Sequence, residues 1–381
     1  MIHMSTLDQY DEWLRDGGRE AAVVLRQWLE PVEGKGSVIF PPTYTLEDTD
    51  RARSYKDGKS PSGVYQSSQG VYGYNIDSFR DGSNVCQIDS VGSQANHMEP
   101  IFKNAGYMHL VPQYVISTGD EKISLLDVGH RAADAIVRFS DISDKLSSAF
   151  KATARGDARG LAIIAPTSLV FGFWDSRGTQ VKMPRIVRSV IRAFDVESLH
   201  RSAQYKPPVE YEEAGLVDKV SNKSEKDALS KQGLAHAPAP MSHGGILVRG
   251  EIRRDASLNL VAIRSLGAGN DDPLPLRRYI LGLSLVALTA PQKDFLREGC
   301  HLVVDPEHKP QWNIVDHDGK RSDAQNLKHE QVLEFASHAA KEFGVQQGEV
   351  SVGFDSKKAN NALHGSGDGK KRPNKVEKAS N

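Results

Sequence analysis

The sequence predicts an α+β protein, in which strand pairs and helices are mixed along the chain. Hydrophobic residues make up 39% and charged residues 25% of the 381 positions, which is typical of a globular protein. Two apolar runs, Ile246–Arg253 and Leu258–Ser265, predict a hairpin with its turn at Asp255-Ala256. An antiparallel hairpin among helices favours α+β over a doubly wound parallel sheet.

The other elements follow from apolar spacing and from breaker residues. A helix is predicted where Ala22, Leu25, Trp28 and Leu29 share one helical face. Helices are also expected near residues 275–289 and 327–342, with short strands at Cys300–Val304 and Trp312–Val315. The remaining predictions, in chain order, are a helix over Arg19–Leu29, strands over Ser37–Phe40 and Val85–Val91, a helix over Ser93–Asn104, strands over Tyr114–Ser117 and Lys122–Leu126, helices over Asp127–Phe139 and Ser143–Thr153, and strands over Leu161–Ile164 and Ser168–Phe173.

Three polar segments interrupt this pattern. Residues 45–82 are rich in Gly, Ser, Asp and Tyr, and residues 206–243 are charged and then Ala- and Pro-rich, so both are predicted to be surface insertions, the second mostly without fixed structure. Residues 356–381 form a basic, low-complexity tail that should be disordered. We therefore expect one domain over residues 1–355, followed by the tail.

Several functional classes find no support in the sequence. The two cysteines, Cys86 and Cys300, form no C-x-x-C pair, which argues against a zinc site and a disulfide framework and fits a reducing cytoplasm. The apolar run Tyr279–Ala290 is too short to span a bilayer, so no membrane contact is expected. P-loop, G-x-G-x-x-G and G-x-S-x-G motifs are absent, and we expect neither a metal nor a cofactor.

The most informative segment is Arg177–Lys206, which carries seven basic residues against two acidic ones. Pro184 suits the first turn of a helix, and on such a helix the basic residues Lys182, Arg185, Arg188 and Arg192 would share one face. Cations without acidic neighbours favour an anionic partner such as a phosphate backbone. The competing interpretation is a solvated basic face, or one that is paired with acids elsewhere in the fold.

Aromatic and polar side chains nearby extend the hypothesis. Trp174 and Tyr205 could stack on bases, whereas the alternate spacing of Phe171 and Phe173 is more typical of a core strand. The segment Asp89–Asn96 places Ser93, Gln94 and Asn96 at a strand-to-helix junction, where backbone N–H groups can bind phosphate and side chains can bond sugar or base edges. Ordinary helix capping by Ser90 or Ser93 is the alternative.

Histidine can serve as the general acid or base of a metal-independent ribonuclease. The candidates are His97, His130, His200 and His243, and none lies in a metal-binding spacing. His200 is the best of them, because Arg201 and the basic segment adjoin it. A phosphate contact or a capping role is the alternative for this residue.

The segment Ala165–Tyr205 resembles the RAMP-superfamily backbone subunit of type I-U (also called I-G) CRISPR effector complexes. Four shorter segments fit the same family, and the matches run in order over about residues 36–305: Phe40–Tyr44, Ile88–Pro100, Leu125–Ser140 and Leu296–Val303. The resemblance implies an RRM-like, ferredoxin-like palm that is enlarged by insertions of the finger or thumb type. One departure is His97, which stands where an arginine is expected in relatives.

By this resemblance, the protein is expected to be a non-catalytic subunit that oligomerises along CRISPR guide RNA and presents it for pairing with target DNA in antiviral defence. Its partners would be the guide RNA, target DNA through the guide, further copies of itself, and the large and repeat-end-binding subunits. The RNA-binding residues expected from the residue patterns and the resemblance together are Ser93, Gln94, Asn96, Arg131, Trp174, Arg177, Lys182, Arg185, Arg188, Arg192, Arg201, Gln204 and Tyr205.

Two other functions stay open from the sequence alone. A metal-independent endoribonuclease of the same superfamily would process CRISPR RNA with His200 as its general acid or base. A protein-interaction module would instead dock its basic segment on an acidic partner. Cleavage of a CRISPR repeat RNA, or capture of a protein without RNA, would distinguish these from the guide-RNA scaffold.

Overall fold

The computed structural model describes residues 7–46, 64–67, 70–292, 295–324 and 327–365. Strands and helices are mixed along the chain, and most strand pairs are antiparallel, so the α+β prediction is confirmed. The arrangement is that of an RRM-like palm with insertions. No helix in the described ranges is long and apolar enough to cross a membrane.

Twenty strands lie in the described part of the chain. In order they are β1 (Glu20–Pro31), β2 (Val38–Ile39), β3 (Thr43–Leu46), β4 (Val64–Ser67), β5 (Gly70–Tyr74), β6 (Ile76–Ser78), β7 (Asn84–Asp89), β8 (Gln113–Ser117), β9 (Lys122–Ser124), β10 (Phe173–Trp174), β11 (Lys182–Met183), β12 (Val187–Phe194), β13 (Val196–Tyr205), β14 (Ala237–Val248), β15 (Ile252–Asn259), β16 (Phe295–Arg297), β17 (Cys300–Val304), β18 (Gln311–Asp316), β19 (Arg321–Asp323) and β20 (Glu349–Gly353).

The same residues contain eleven α-helices. They are α1 (Asp11–Leu14), α2 (Val91–Met98), α3 (Ala135–Arg138), α4 (Ser143–Ala154), α5 (Arg159–Ile164), α6 (Pro166–Phe171), α7 (Lys223–Lys231), α8 (Leu260–Arg264), α9 (Leu274–Thr289), α10 (His329–Phe343) and α11 (Ser356–Gly365).

A central antiparallel sheet organises the molecule, in the strand order β16-β17-β1-β15-β12-β7-β6. Strand β18 also pairs with β1, and β19 pairs with β18. The register places Leu25 opposite Ala256, and Val190 opposite Asp255. Because side chains alternate between the faces of a strand, this register fixes which residues share each face of the sheet.

One face of the central sheet is buried under helices. Val23 and Leu25 of β1 and Leu258 of β15 pack in a core with the helices, and α9 is buried along most of its length. Gly282 allows α9 to approach α10 closely, because a Cβ atom there would lie 2.9 Å from the Cα of Ala336. A smaller core beside it contains Ile39, Ile88, Ile191, Cys86 and Cys300. Among the residues that the structure describes, no helix covers the opposite face of the sheet.

Five predicted elements are wrong in type, one of which is the helix expected in the basic segment, described below. Residues 19–29 fall in strand β1 instead of a helix, since pairing with β15 and β18 outweighs a weak helical periodicity. The two apolar runs at 161–164 and 168–173 lie in α5 and α6, except that Phe173 begins β10. The predicted hairpin is also wrong, because Asp255 and Ala256 lie inside β15 and the turn comes earlier, between β14 and β15. Its second run, 258–265, lies mostly in α8.

The polar segments are more ordered than predicted. Helix α7 and the start of β14 lie in 206–243, so the expectation of little fixed structure is wrong there. Helix α11 covers the first ten residues of the predicted tail, whereas 366–381 lie outside the described residues. Strands β3 to β6 lie in or beside 45–82, of which 47–63 and 68–69 also lie outside them. The single-domain division stays a prediction.

Candidate nucleic-acid interface

The basic segment is a strand and not a helix. β12 pairs with β15 on one side and with β7 on the other, and its Val and Ile residues suit a strand that is paired on both edges. The predicted four-residue helical face therefore does not exist. Arg188 and Arg192 still share a face, because residues four apart in a strand project to the same side.

A hollow on the open face of the sheet collects these arginines. Its volume is about 600 Å³. The apolar floor includes Val24 and Val190, from neighbouring parts of β1 and β12. We call it the arginine hollow, and its polar lining consists of Arg26, Arg188, Arg192, Asp255, Ser257, Gln311, Asn313 and Arg321.

The arginine hollow carries an excess of positive charge. Its one lining carboxylate, Asp255, is engaged by Arg26 at 3.5 Å and by Arg253 at 2.9 Å. Within the described ranges, Arg188, Arg192 and Arg321 form no ion pair with any acidic residue. Three guanidinium groups without an acidic partner in the described residues, arranged around a concave surface, favour an extended anion.

Arg185 continues the positive surface beyond the hollow. Its pKa is lowered from the ordinary arginine value by burial first, and then by the charges of Arg131 and Arg188. Gly172 packs against Arg185 and has a φ of +75°, which is strained for any other residue. A Cβ atom at Gly172 would lie 3.0 Å from the backbone nitrogen of Arg185, so the glycine permits close packing of the two segments. An anion beside Arg185 would relieve the repulsion among the three arginines.

The hairpin of β10 and β11 presents an aromatic ring and a cation together. Trp174 lies opposite Lys182, whose Nζ is 5.5 Å from the centre of the indole ring. The Trp174 side chain is 57% exposed. Asp175 organises the turn that follows, by accepting hydrogen bonds from the Thr179 backbone nitrogen at 2.6 Å and its hydroxyl at 2.9 Å. Trp174 and the exposed Arg177 are thereby held at the surface, as a stacking platform requires.

Two predicted RNA contacts are buried. Gln94 is 4% exposed, donates to Asp89 Oδ2 at 2.7 Å, and accepts from the Ser189 hydroxyl at 2.7 Å. Arg131 is equally buried, with its Nε 2.7 Å from Glu99 Oε2. Both side chains complete internal polar networks, so the structure does not present them to a ligand on the surface.

The other residues of that junction stay accessible in part. The Ser90 hydroxyl caps α2 by accepting from the Ser93 backbone nitrogen at 3.2 Å, which is the capping alternative. Asn96 is exposed, and its Oδ1 accepts a 3.3 Å hydrogen bond from Arg131. Contacts of Ser93 and Asn96 with RNA stay predictions.

The last three predicted site residues belong to a different sheet. Arg201, Gln204 and Tyr205 are exposed on β13, which pairs with β14 outside the central sheet. The Tyr205 hydroxyl donates to the carbonyl of Gly233 at 3.1 Å. The structure therefore brings Arg185, Arg188 and Arg192 together, and places these three residues elsewhere.

Sequence reasoning missed half of the arginines in the hollow. The sequence predicts a helix at Arg26. In the strand that the structure contains, Arg26 and its neighbour Leu25 project from opposite faces, so Arg26 lies on the open face. Arg321, Gln311 and Asn313 reach the hollow only because β18 and β19 fold back beside β1. No local motif marks these three residues.

Two histidines face each other on the β13–β14 hairpin. His200 is the register partner of His243, and burial together with the nearby His200 lowers the pKa of His243 below its ordinary value. The ring of Tyr74 lies 5.1 Å from that of His243. Among the described residues, no group of three His, Cys, Asp or Glu side chains is arranged to hold a metal ion.

Part of the chain is similar to known proteins. A solved structure described as "CRISPR RNA-guided surveillance complex, pre-nicking" is similar at 12% identity and a TM-score of 0.30, over 85% of this chain and 90% of that one. No curated protein matches the chain. Residues 23–198, which include β12 and the β10–β11 hairpin, match the family described as CRISPR-associated protein GSU0053. Through these residues, the chain is similar to the CRISPR-associated GSU0053 family.

Proposed function

We propose that the protein is a backbone subunit of a type I-G (I-U) CRISPR effector complex and binds the guide RNA in the arginine hollow. The observation that carries this proposal is the set of three arginines, Arg188, Arg192 and Arg321, that have no acidic partner in the described structure. The family supports the CRISPR context. RNA supplies phosphates at regular intervals along an extended chain.

The spacing of the arginines suits a backbone and not a single anion. Arg188 and Arg192 are four residues apart in β12, which corresponds to about 13 Å along the strand. One phosphate group is too small to contact both, so each arginine would bind a different phosphate. Arg185 and the Trp174–Lys182 pair extend the same surface past the start of β12. A nucleic-acid strand could follow this track.

Binding through phosphates leaves the bases free for another partner. Sequence recognition would then belong to pairing between the guide and target DNA, and the protein would read backbone and shape. Several copies would line up along one guide, together with the large and repeat-end-binding subunits. Trp174 would stack on a base at an interval set by the subunit repeat.

The proposed role is not catalytic, and co-purification tests it. The chain is expressed with its genomic neighbours and a CRISPR array, purified, and its nucleic acid is separated on a denaturing gel. We expect RNA of uniform length with several copies of the chain, and no cleavage by the purified protein. Arg188→Glu with Arg192→Glu should lose the RNA, whereas Lys151→Glu, at an exposed position on α4, should keep it. A protein free of RNA, with or without an acidic protein partner, would contradict the proposal.

The His200–His243 pair favours a second candidate, a metal-independent endoribonuclease that processes CRISPR RNA. Two imidazoles side by side can act as general acid and general base, and the lowered pKa of His243 favours its neutral, basic form. Purified protein would then cleave a CRISPR repeat RNA in the presence of a chelator, and His200→Ala or His243→Ala would abolish cleavage. An intact repeat RNA after incubation with the wild-type chain would exclude this candidate.

A further inference from the structure

A second concave site lies on the opposite, helix-covered side of the central sheet. It is a cavity of about 380 Å³ between the sheet and the C-terminal end of α9. Most of its lining is apolar, including Leu25 and Leu29 of β1, Leu288 of α9, Leu302 of β17 and the indole of Trp312. A cavity of this size and character can accept a small organic molecule.

One charged side chain lies at the base of this cavity. Arg254 is 3% exposed, and its Nε donates to the Ser189 hydroxyl at 3.0 Å. Its two terminal nitrogens have only long contacts, with Gln27 Oε1 at 3.5 Å and Met98 Sδ at 3.7 Å. No carboxylate in the described part of the chain pairs with Arg254. The outer edge of the guanidinium therefore has unused hydrogen-bonding capacity.

Asp89, the acidic residue of this network, already has three other partners. Asp89 accepts from Gln94 at 2.7 Å and from Arg297 at 3.3 Å, and its Oδ2 lies 3.2 Å from His97 Nδ1. Its charge is shared by these partners and does not compensate Arg254. The base of the cavity therefore holds more positive than negative charge.

Burial of Arg254 without a counter-ion destabilises its charged form. Burial lowers the pKa of Arg254 to about 10, which still leaves the guanidinium charged at neutral pH. A buried charge normally persists only where a partner compensates its desolvation. Here the structure provides a cavity beside the charge instead of a partner.

We propose that this cavity binds a small organic anion, with a carboxylate or phosphate group on a compact apolar body. The oxyanion would accept hydrogen bonds from Nη1 and Nη2 of Arg254, and the apolar body would pack on Leu25, Leu288 and Trp312. Arg254 lines the cavity and its neighbour in β15, Asp255, lines the arginine hollow, so the two sites lie on opposite faces of the sheet. The inference therefore does not depend on the proposed RNA binding.

The test uses the full chain and four defined probes: phenylacetate, phenyl phosphate, benzyl alcohol and inorganic phosphate. Binding is followed by calorimetry and by the melting temperature. We expect phenylacetate or phenyl phosphate, or both, to bind and to raise the melting temperature. Benzyl alcohol lacks the charge and inorganic phosphate lacks the apolar body, so each should bind at least about tenfold more weakly.

Two variants locate the binding. Arg254→Met keeps an unbranched side chain of similar length and removes the charge, and Leu296→Trp fills the cavity wall without changing Arg254. Both should abolish probe binding, whereas Arg26→Met on the open face should leave it unchanged. The proposal is overturned if no aromatic anion binds, if inorganic phosphate binds as well as the aromatic anions, or if both cavity variants bind like the wild type. Leu296→Trp keeps the test decisive if Arg254→Met does not fold.

Discussion

Arg253 and Arg254 are consecutive in β15 and project from opposite faces of the central sheet. Arg253 lies on the open face, where it forms ion pairs with Glu251 and Asp255 and its guanidinium lies 4.6 Å from the centre of the Phe194 ring. Arg254 lies on the helix-covered face, with no carboxylate partner in the described structure. One strand thus carries an arginine on each face of the sheet, one face bearing the arginine hollow and the other the apolar cavity.

Trp174→Ala should weaken single-stranded RNA binding by about 1–3 kcal/mol if the ring stacks on a base. The side chain is exposed and lies beside Lys182, so its removal should not disturb the core. Phe79→Ala, at a similarly exposed ring on the turn between β6 and β7, serves as the control. Equal affinities of Trp174→Ala and wild type in fluorescence anisotropy would remove Trp174 from the interface.

Glu99 should make the protein less stable as the pH rises from about 4.5 to 7. Burial raises the pKa of Glu99 to about 7, although Arg131 opposes the shift. The folded state therefore binds more protons than the unfolded state in this range, so the contribution of Glu99 is greatest below pH 4.5 and is lost as pH rises through 7. The loss could reach about 3 kcal/mol for a shift of this size.

Glu99→Gln isolates this contribution, because glutamine has a similar shape and does not titrate. Urea unfolding at a series of pH values should show a flatter pH dependence for the variant than for the wild type. The variant should also be less stable at pH 8, because Arg131 loses its buried counter-charge. Parallel curves for the two proteins would contradict the assignment of this titration to Glu99.

Gly172→Ala should destabilise the protein by about 1–3 kcal/mol, because its backbone lies in a region that only glycine adopts easily. The added Cβ would also approach the Arg185 Cγ to 2.9 Å. Gly106→Ala is the matched control, since nothing lies within 4 Å of a Cβ there. Thermal unfolding that shows equal stability for both variants would argue against the close contact of these segments.

Gln94→Leu should lower stability by about 1–3 kcal/mol and leave RNA affinity unchanged. The substitution removes a buried donor to Asp89 and the acceptor of the Ser189 hydroxyl. Denaturant unfolding and RNA binding are measured on the same preparation. Weaker RNA binding at unchanged stability would instead show that Gln94 contacts RNA, as the sequence predicts.

Local sequence patterns predict one part of this fold, and long-range pairing determines the rest. The α+β class and the basic character of residues 177–192 are local properties, and both were predictable. The strand identity of β12 was not, because Pro184 and the spacing of the basic residues fit a helix equally well, and pairing with β7 and β15 decides between them. The burial of Arg131 depends on Glu99, which is distant in sequence. Arg321 joins the hollow through long-range strand pairing that no local pattern reports.

The salt dependence of single-stranded RNA affinity tests the phosphate-binding surface most directly. If Arg188, Arg192 and Arg321 each neutralise one phosphate, the slope of log K against log salt should be about −2. Arg188→Gln with Arg192→Gln should reduce the slope to about −0.7, from roughly 0.7 per contact. Arg159 lies on α5 and is paired with Asp271, so Arg159→Gln should keep the wild-type slope. An unchanged slope in the double variant would show that RNA does not bind in the arginine hollow.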